Sequence, residues 1–501
     1  MRVQRYFRGR LFLAIFAQAA TATMLSFGAG LHPLWWLTWL APLPVLVAAP
    51  RLRASEAFTV AVLAWLLGSL NLWDEVRTIG STTFLFVLLI CPALTFGFCA
   101  VLFRAWILRG GVWQGALSVP VAWVAAEFLG SQVSAHGTFG NLGYTQSDFL
   151  PIIQVASIVG LWGISFCLLL VPATVAALLS RPGRLAQKQL LFACLLFFFA
   201  AVLTYGYRRL EGGSGPRRPV SVALVAGDRA ADLFRQDDDS ALRLCRQYAD
   251  EVSRKLRGPG FGVAILPEKI AHLSGAGVKR ADALFLDAAG TMNVNFLVGF
   301  DRETATACAN EARLYASDRT IVATYVKQHP LPHEPVEAPG TEIKMVDAPS
   351  GVFGMQLCTD MDFPNLSRQY GARGVGLLLV PASDLGDDGW LHSRMAILRG
   401  VESDFTIVRT ARQGLLTISD GRGRVLAEKP SNAEPFTTLL ATPSVRHDET
   451  FYVRYGDWFG WSCVAALLLS VWRLASGVRR RETLDAAGVA KAVPATVSAM
   501  G

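Results

Sequence analysis

The sequence predicts a polytopic α-helical membrane domain of about eight transmembrane helices, with a soluble layered α/β or α+β domain set between the seventh and the eighth. Three observations predict this. The 501 residues are 52% hydrophobic and only 17% charged, too apolar for a wholly soluble chain. Apolar runs of membrane-spanning length recur within residues 11–205 and once more at 458–474. Between them, residues 206–457 have ordinary globular composition and enough length to bury a core of their own.

The membrane segments read as 11–31, 35–49, 57–72, 83–103, 113–129, 152–179, 190–205 and 458–474, with Pro42 and Pro44 blurring the ends of the second. Lys and Arg mark the cytoplasmic loops. They cluster at Arg2, Arg5, Arg8 and Arg10, at Arg51 and Arg53, at Arg104 and Arg109, at Arg181, Arg184 and Lys188, and again in the tail at Arg473, Arg479, Arg480, Arg481 and Lys491. The intervening loops carry only Arg77, beside Asp74 and Glu75. The pattern predicts both termini inside, residues 206–457 outside, and 475–501 as a cytoplasmic tail, disordered from Ala486. A cleaved signal peptide would share the basic start. Its removal would leave seven spans and the soluble domain still outside.

Charge excludes one class of partner. Residues 206–457 hold 30 Lys and Arg against 32 Asp and Glu, a net of −2, so all of the chain's excess positive charge lies in the membrane part, which carries a net +10. A nucleic-acid surface needs clustered base on the folded domain, and none is there. Cysteine usage excludes another. Cys91, Cys99, Cys167, Cys194 and Cys463 lie in apolar runs as small hydrophobes. Cys245, Cys308 and Cys358 are an odd number, without a CxxC or His/Cys pattern for a metal.

Within 206–457, β-branched apolar runs predict strands at Val220–Val225, Gly262–Leu266, Val294–Val298, Ile321–Tyr325, Val352–Leu357, Val375–Val380, Phe405–Val408 and Leu415–Ile418. Residues 241–257 and 389–403 read as amphipathic helices, and Gly421 marks a hairpin turn. Three of these strands end in reactive groups. Glu268 follows one in Ala-Ile-Leu-Pro-Glu, Lys327 another in Tyr-Val-Lys-Gln-His, and Cys358 a third in Gly-Met-Gln-Leu-Cys-Thr-Asp. Polar groups at the ends of buried strands can converge on one pocket with stiff walls.

This order resembles the carbon–nitrogen hydrolase (nitrilase) superfamily, whose strands end in Pro-Glu, Tyr-x-Lys-x-His and Gly-x-x-x-Cys. The resemblance implies an α-β-β-α sandwich. Eight spans around such a domain look like the bacterial apolipoprotein N-acyltransferase family. So do Trp123…Glu127, Gly140, Gly143 and Tyr144, then Gln154…Gly160…Gly163. Cys358…Phe363-Pro364 and Pro381-Ala382-Ser383-Asp384…Trp390…Arg399…Glu402 are similar to that family too. The chain departs from it at Leu266, where Trp is usual, and in the run His329-Pro-Leu-Pro-His333-Glu334. Glu334 stands one residue early for the family's second glutamate, and Asp360 matches its acid two residues after the cysteine.

The resemblance implies a two-step transfer in the bacterial inner membrane, with no cofactor. Cys358 takes an acyl chain from a phospholipid such as phosphatidylethanolamine, and the α-amine of an S-diacylglyceryl cysteine on an apolipoprotein then takes it from Cys358. Glu268 is the general base. Lys327 and the Thr359 N–H face the developing oxyanion. Substrate or loop roles fall to Glu334, Asp360, Thr359 and Trp390. Two other readings stay open: a membrane-tethered amidase acting on a small amide, suggested by the altered loop, and a non-enzymatic degenerate paralogue. Blander readings stand beside these residues. Cys358 alone is a buried thiol, Asp360 a turn cap, and Trp390, Arg399 and Glu402 packing or ion-pair residues. Glu127 is either interfacial or functional, and Trp35, Trp36, Trp39 and Trp73 read as an interfacial aromatic belt.

Overall fold

A computed structural model describes residues 2–491 except 74–81, 182, 213–217, 229–236, 257–261, 304–305, 307, 333, 335 and 337. Asp74, Glu75 and Arg77 of the third loop, His333 and residues 492–501 of the tail therefore lie outside the described residues.

Among the described residues, seven helices are long and apolar enough to cross a membrane: Arg8–Gly28, Ala54–Leu72, Phe86–Leu108, Val112–Val133, Leu161–Leu179, Leu185–Glu211 and Trp458–Ser476. The expected span at 35–49 is not one of them. Around Pro42 and Pro44 it breaks into the short helices Trp35–Thr38 and Leu43–Ala48 and a 3-10 turn at Ala49–Arg51, because proline cannot donate to the helical ladder. The broken segment still packs inside the bundle, with Ala41, Val45, Leu46 and Ala48 buried. The expected span 152–179 also divides, into Leu150–Ile153, Ala156–Val159 and Leu161–Leu179. Gly160 makes the break with a left-handed φ of +68°, and a Cβ there would lie 2.6 Å from the Tyr452 ring. Small residues such as Ala57, Ala61, Ala64, Cys99 and Ala116 let the helices approach closely. Phe12, Phe16, Phe197 and Trp472 point outward, as a lipid-facing surface requires. The last helix runs from Trp458 to Lys491, so 486–491 are helical where disorder was expected.

The soluble domain is two sheets packed face to face between two pairs of helices, the sandwich that the resemblance implies. One sheet has the order Val425–Pro430, Leu415–Ser419, Thr406–Arg412, Leu377–Ser383, Gly351–Met355, Lys344–Ala348. The other has Thr437–Ala441, Val222–Ala226, Val263–Ile265, Asn295–Glu303, Cys308–Tyr315 and Ile321–Val326, with Ala271–Leu273 against Asn295–Glu303. Period-two alternation builds the layers. Val222, Leu224, Val263, Ile265, Leu377 and Leu379 meet between the sheets. Their neighbours Ala223, Val225 and Ala264 face helices Asp238–Lys255 and Gly275–Met292, while Leu378 and Val380 face Pro364–Gly371 and Gly389–Ser403.

All eight expected strands are present, and the turn at Gly421 joins Leu415–Ser419 to Val425–Pro430. Strands Cys308–Tyr315, Lys344–Ala348 and Val425–Pro430 escaped sequence reading because charge interrupts them, and the uncharged Thr437–Ala441 escaped it too. Glu311 and Arg313, for example, are tolerated because they pair with each other, and Arg313 also with Asp282 at 2.7 Å. Helix Gly275–Met292, with glycines in its first turn, was likewise unread. The Ser274 side chain caps its start and left-handed Asn293 its end.

The domain is docked on one end of the bundle by buried polar contacts. Arg399 Nη2 donates to Tyr144 Oη at 3.0 Å, and Glu402 Oε1 accepts from the Leu161 N–H at 2.8 Å. Arg209 Nη2 donates to the Val401 carbonyl at 3.1 Å, and Gln154 Nε2 to the Arg422 carbonyl at 2.9 Å. The Thr138 N–H and hydroxyl both donate to the Asp362 carbonyl, at 2.9 and 2.7 Å.

Candidate active site

Glu268, Lys327 and Cys358 each follow a strand, and all three line one cavity of about 470 Å³. Glu268 lies three residues past Val263–Ile265. Its N–H reaches across to the Ala382 carbonyl of the facing sheet at 3.3 Å. The turn that carries it passes so close to Gly299 that a Cβ there would sit 2.6 Å from Glu268 Cα. Lys327 directly follows Ile321–Val326, and its N–H is held by the Asn310 carbonyl at 2.9 Å. Cys358 opens a 3-10 helix, Cys358–Asp362, with a left-handed φ of +42°. That backbone is costly for a residue with a Cβ and persists only when its surroundings enforce it.

Asp360 enforces it. Its fully buried carboxylate accepts from the N–H groups of Leu357 (3.2 Å), Gln328 (3.2 Å) and His329 (2.8 Å) and from the Tyr325 hydroxyl (2.6 Å). It thereby ties the cysteine turn to the lysine loop, and Thr359 adds a bond from Oγ1 to the His329 carbonyl at 2.7 Å. Asp360 acts as more than a turn cap, yet it does not line the cavity.

Lys327 Nζ donates to Glu268 Oε1 at 2.9 Å and to Glu334 Oε1 and Oε2 at 3.1 and 3.2 Å. The altered loop thus still brings Glu334 to the lysine. Lys269 Nζ bonds Glu334 at 2.9 Å, and Asn310 Nδ2 bonds Glu268 Oε1 at 2.6 Å. Burial raises the Glu268 carboxyl, but Lys327 and Lys269 outweigh it and hold the group well below the usual carboxylate range. Burial lowers Lys327, but Glu268, Cys358 and Glu334 reverse that and keep it charged. Burial and the Glu268 charge push the Cys358 thiol far up, against the pull of Lys327. At rest one cavity therefore holds a protonated sulfur and an ionised carboxylate.

The other candidates lie elsewhere. Trp390 is off the cavity, with the Arg394 guanidinium 5.0 Å above its ring. Arg399 and Glu402 form the ion pair of the seam, as their blander reading held. In the bundle, Glu127 Oε1 accepts from the Leu142 N–H at 2.8 Å and braces the loop that follows its helix. Trp36 and Trp73 are exposed. Trp39 instead bonds Gln146 Oε1 at 2.7 Å and Trp35 stacks on Phe149, so half of the aromatic belt anchors that loop. Cys245 is buried and Cys308 begins a strand.

Sequence reading missed Lys269, Asn310, Asp362 and His392, which the fold brings to the same cavity or its acids. For Asn310 the missing signal was the strand itself. Once Cys308–Tyr315 is a strand, Asn310 shares a face with Ala312 and Leu314. Asp384, Asp388 and His392 present ligand-type atoms within 4.8 Å of one another. However, Arg409 already occupies both oxygens of Asp384, which makes the group an ion-pair cluster.

Comparison with known proteins finds the apolipoprotein N-acyltransferase N-terminal domain over residues 19–174 and the carbon-nitrogen hydrolase domain over 241–438. A relative named apolipoprotein N-acyltransferase from Geobacter metallireducens is 27% identical over 86% of this chain and 89% of its own length. Another from Haemophilus ducreyi is 22% identical over 86% and 92%. A solved structure, Saccharomyces cerevisiae Nit3 of the nitrilase superfamily, is 18% identical over 45% of this chain and 90% of its own, with a TM-score of 0.38.

Proposed function

The chain belongs to the apolipoprotein N-acyltransferase family, and on that premise we propose that Cys358 carries an acyl chain from a membrane phospholipid to the N-terminal amine of a diacylglyceryl apolipoprotein. In the first step Glu268 takes the thiol proton and the sulfur attacks the ester carbonyl. Lys327 and the Thr359 N–H stabilise the oxyanion, and the lysophospholipid leaves with the proton from Glu268. In the second step the α-amine attacks the thioester, an amide forms and the sulfur recovers its proton.

One observation carries this reading. The cavity that holds the three groups is walled on one side by His136 and Phe139, from the loop between bundle helices Val112–Val133 and Leu161–Leu179. A cysteine reached from the bilayer edge suits substrates whose acyl chains would cost about 0.8 kcal/mol per CH₂ to extract. A second, apolar cavity of about 220 Å³, lined by Trp65, Leu88, Trp123 and Leu391, shares Phe139 with the first and suits an acyl chain. The alternation of basic loops supports a catalytic domain on the periplasmic face with both termini in the cytoplasm, with the broken segment 35–49 making the extra crossing.

Incubation of the purified chain with phosphatidylethanolamine should add one acyl mass to Cys358 and none to a Cys358→Ala variant. Release of ammonia from small amides without such an adduct would instead point to an amidase. A reporter fused after Gly213 should be active only outside the cytoplasm.

A further inference from the structure

Asp362 closes the 3-10 helix that Cys358 opens, and its side chain lines the catalytic cavity. It is only 2% exposed, and its Oδ1 has no hydrogen-bond partner. Among the described residues no cationic nitrogen forms an ion pair with it. The four cations that pull on it most each have a carboxylate partner of their own. Lys327 is held by Glu268 and Glu334, Arg409 by Asp384, Arg399 by Glu402, and His392 by Asp388 at 3.2 Å. Buried carboxylates are normally paired and hydrogen-bonded, since an uncompensated one is costly. The backbone of Asp362 is also fixed, by the two bonds from Thr138. An oriented, unpaired carboxylate one helical turn beyond the nucleophile is a site without its partner.

We propose that Asp362 binds a primary ammonium group of a substrate inside the catalytic cavity. This rests on the acyl-transfer reading above, in which two substrates can bring such a group: the α-ammonium of the acceptor, or the ethanolamine headgroup of the donor. When the ammonium is the acceptor's, Asp362 takes one proton from it. The neutral amine then attacks the thioester carbon, so a C–N bond forms and the C–S bond breaks. The second amine proton returns to the Cys358 sulfur through Glu268, and Asp362 releases its own proton to solvent. Burial supports this role by pushing the Asp362 carboxyl up to about 7, against the pull of His392, Arg399, Arg409 and Lys327. Glu268, bound to Lys327 and held low, is a weaker base for an ammonium group.

The test uses the full-length protein in lipid nanodiscs and measures its two steps separately. Acyl-enzyme is formed from phosphatidylethanolamine or phosphatidylglycerol and followed by mass. It is then discharged with a diacylglyceryl-cysteine peptide or with hydroxylamine, a nucleophile uncharged at neutral pH. If the site serves the acceptor, Asp362→Asn slows discharge by the peptide at least tenfold, while hydroxylamine discharge and acylation from both lipids stay unchanged. If it serves the donor, Asp362→Asn slows acylation from phosphatidylethanolamine at least tenfold but not from phosphatidylglycerol. Asp362→Glu should restore part of either loss. Equal slowing of all four reactions, or no slowing of any, overturns the proposal. Asp362→Ser repeats the test if the amide fails to fold. Absence of acyl-enzyme in the unaltered protein would defeat the transfer reading itself, an outcome distinct from these.

Discussion

The protein buries charge in two places, and the two are built differently. Around Lys327, the carboxylates Glu268 and Glu334 share one ammonium group, Lys269 backs Glu334, and the group faces a cavity. At the seam with the bundle, Arg399 pairs with Glu402 and bonds Tyr144, while Asp404 is shared by Arg422 at 2.8 Å and Arg209 at 3.6 Å. In the first network the charges are redundant and look into open space, where a substrate can exchange partners with them. In the second, the charges tie the domain to the bundle, and although a cavity of about 400 Å³ opens beside Arg209, Asp404 and Arg422, no cysteine lines it. Buried ion pairs alone therefore do not mark an active site. A reachable nucleophile and a cavity do.

The largest test of this contrast removes the proposed base. Glu268→Gln should slow acyl-enzyme formation by roughly 10²–10⁴-fold, the usual contribution of a general base. The melting temperature should barely move, because Glu334 still neutralises Lys327. A large fall in melting temperature would erase the distinction between the networks.

At the seam the pattern should invert. Arg399→Leu strands Glu402 in a buried site, and breaking such a pair costs about 3–5 kcal/mol. Thermal unfolding in detergent should show that loss. Asp360→Asn lies between the two. Deprived of the carboxylate that gathers four donors, the cysteine turn should relax, and acylation should fall on the order of tenfold with a smaller loss of stability. An unchanged rate would mean that the strained backbone at Cys358 does not need Asp360.

A pH titration probes the cluster beside the cavity. Burial lowers the His392 imidazole, but Asp388, Asp362 and Asp384 outweigh it and raise it to about 9. A raised folded value means stability fully present below the unfolded value of about 6.5, lost as pH climbs through 9. Unfolding measured from pH 6 to 10 should show that decline, and His392→Gln should flatten it. The smallest effect is expected at Trp390, which lies off the cavity. Trp390→Ala should change acyl-enzyme formation by less than about twofold.

Much of this protein is legible along the chain, and the reason is locality. Membrane spans declare themselves by a continuous apolar run, strands such as Val222–Ala226 and Leu377–Ser383 by β-branched and aliphatic residues, and Glu268, Lys327 and Cys358 by short motifs at strand ends. What escaped depends on partners distant in sequence. Strand Cys308–Tyr315 is stabilised by charges that pair only after folding, so Asn310 was hidden with it. The breaks at Pro42 and Gly160 follow from local backbone chemistry, but the Tyr452 ring that packs against Gly160 comes from the far end of the chain.

Residue order alone determined the division into a helical bundle and a layered soluble domain, the three reactive groups and their sequence, because each rests on composition or on a few adjacent residues. Tertiary structure alone decided that Glu334 reaches Lys327 despite an altered loop, that Arg399 and Glu402 serve docking, and that Asp362 faces the cavity unpaired. Whether a charge is satisfied depends on atoms tens to hundreds of residues away, and no local pattern encodes that distance.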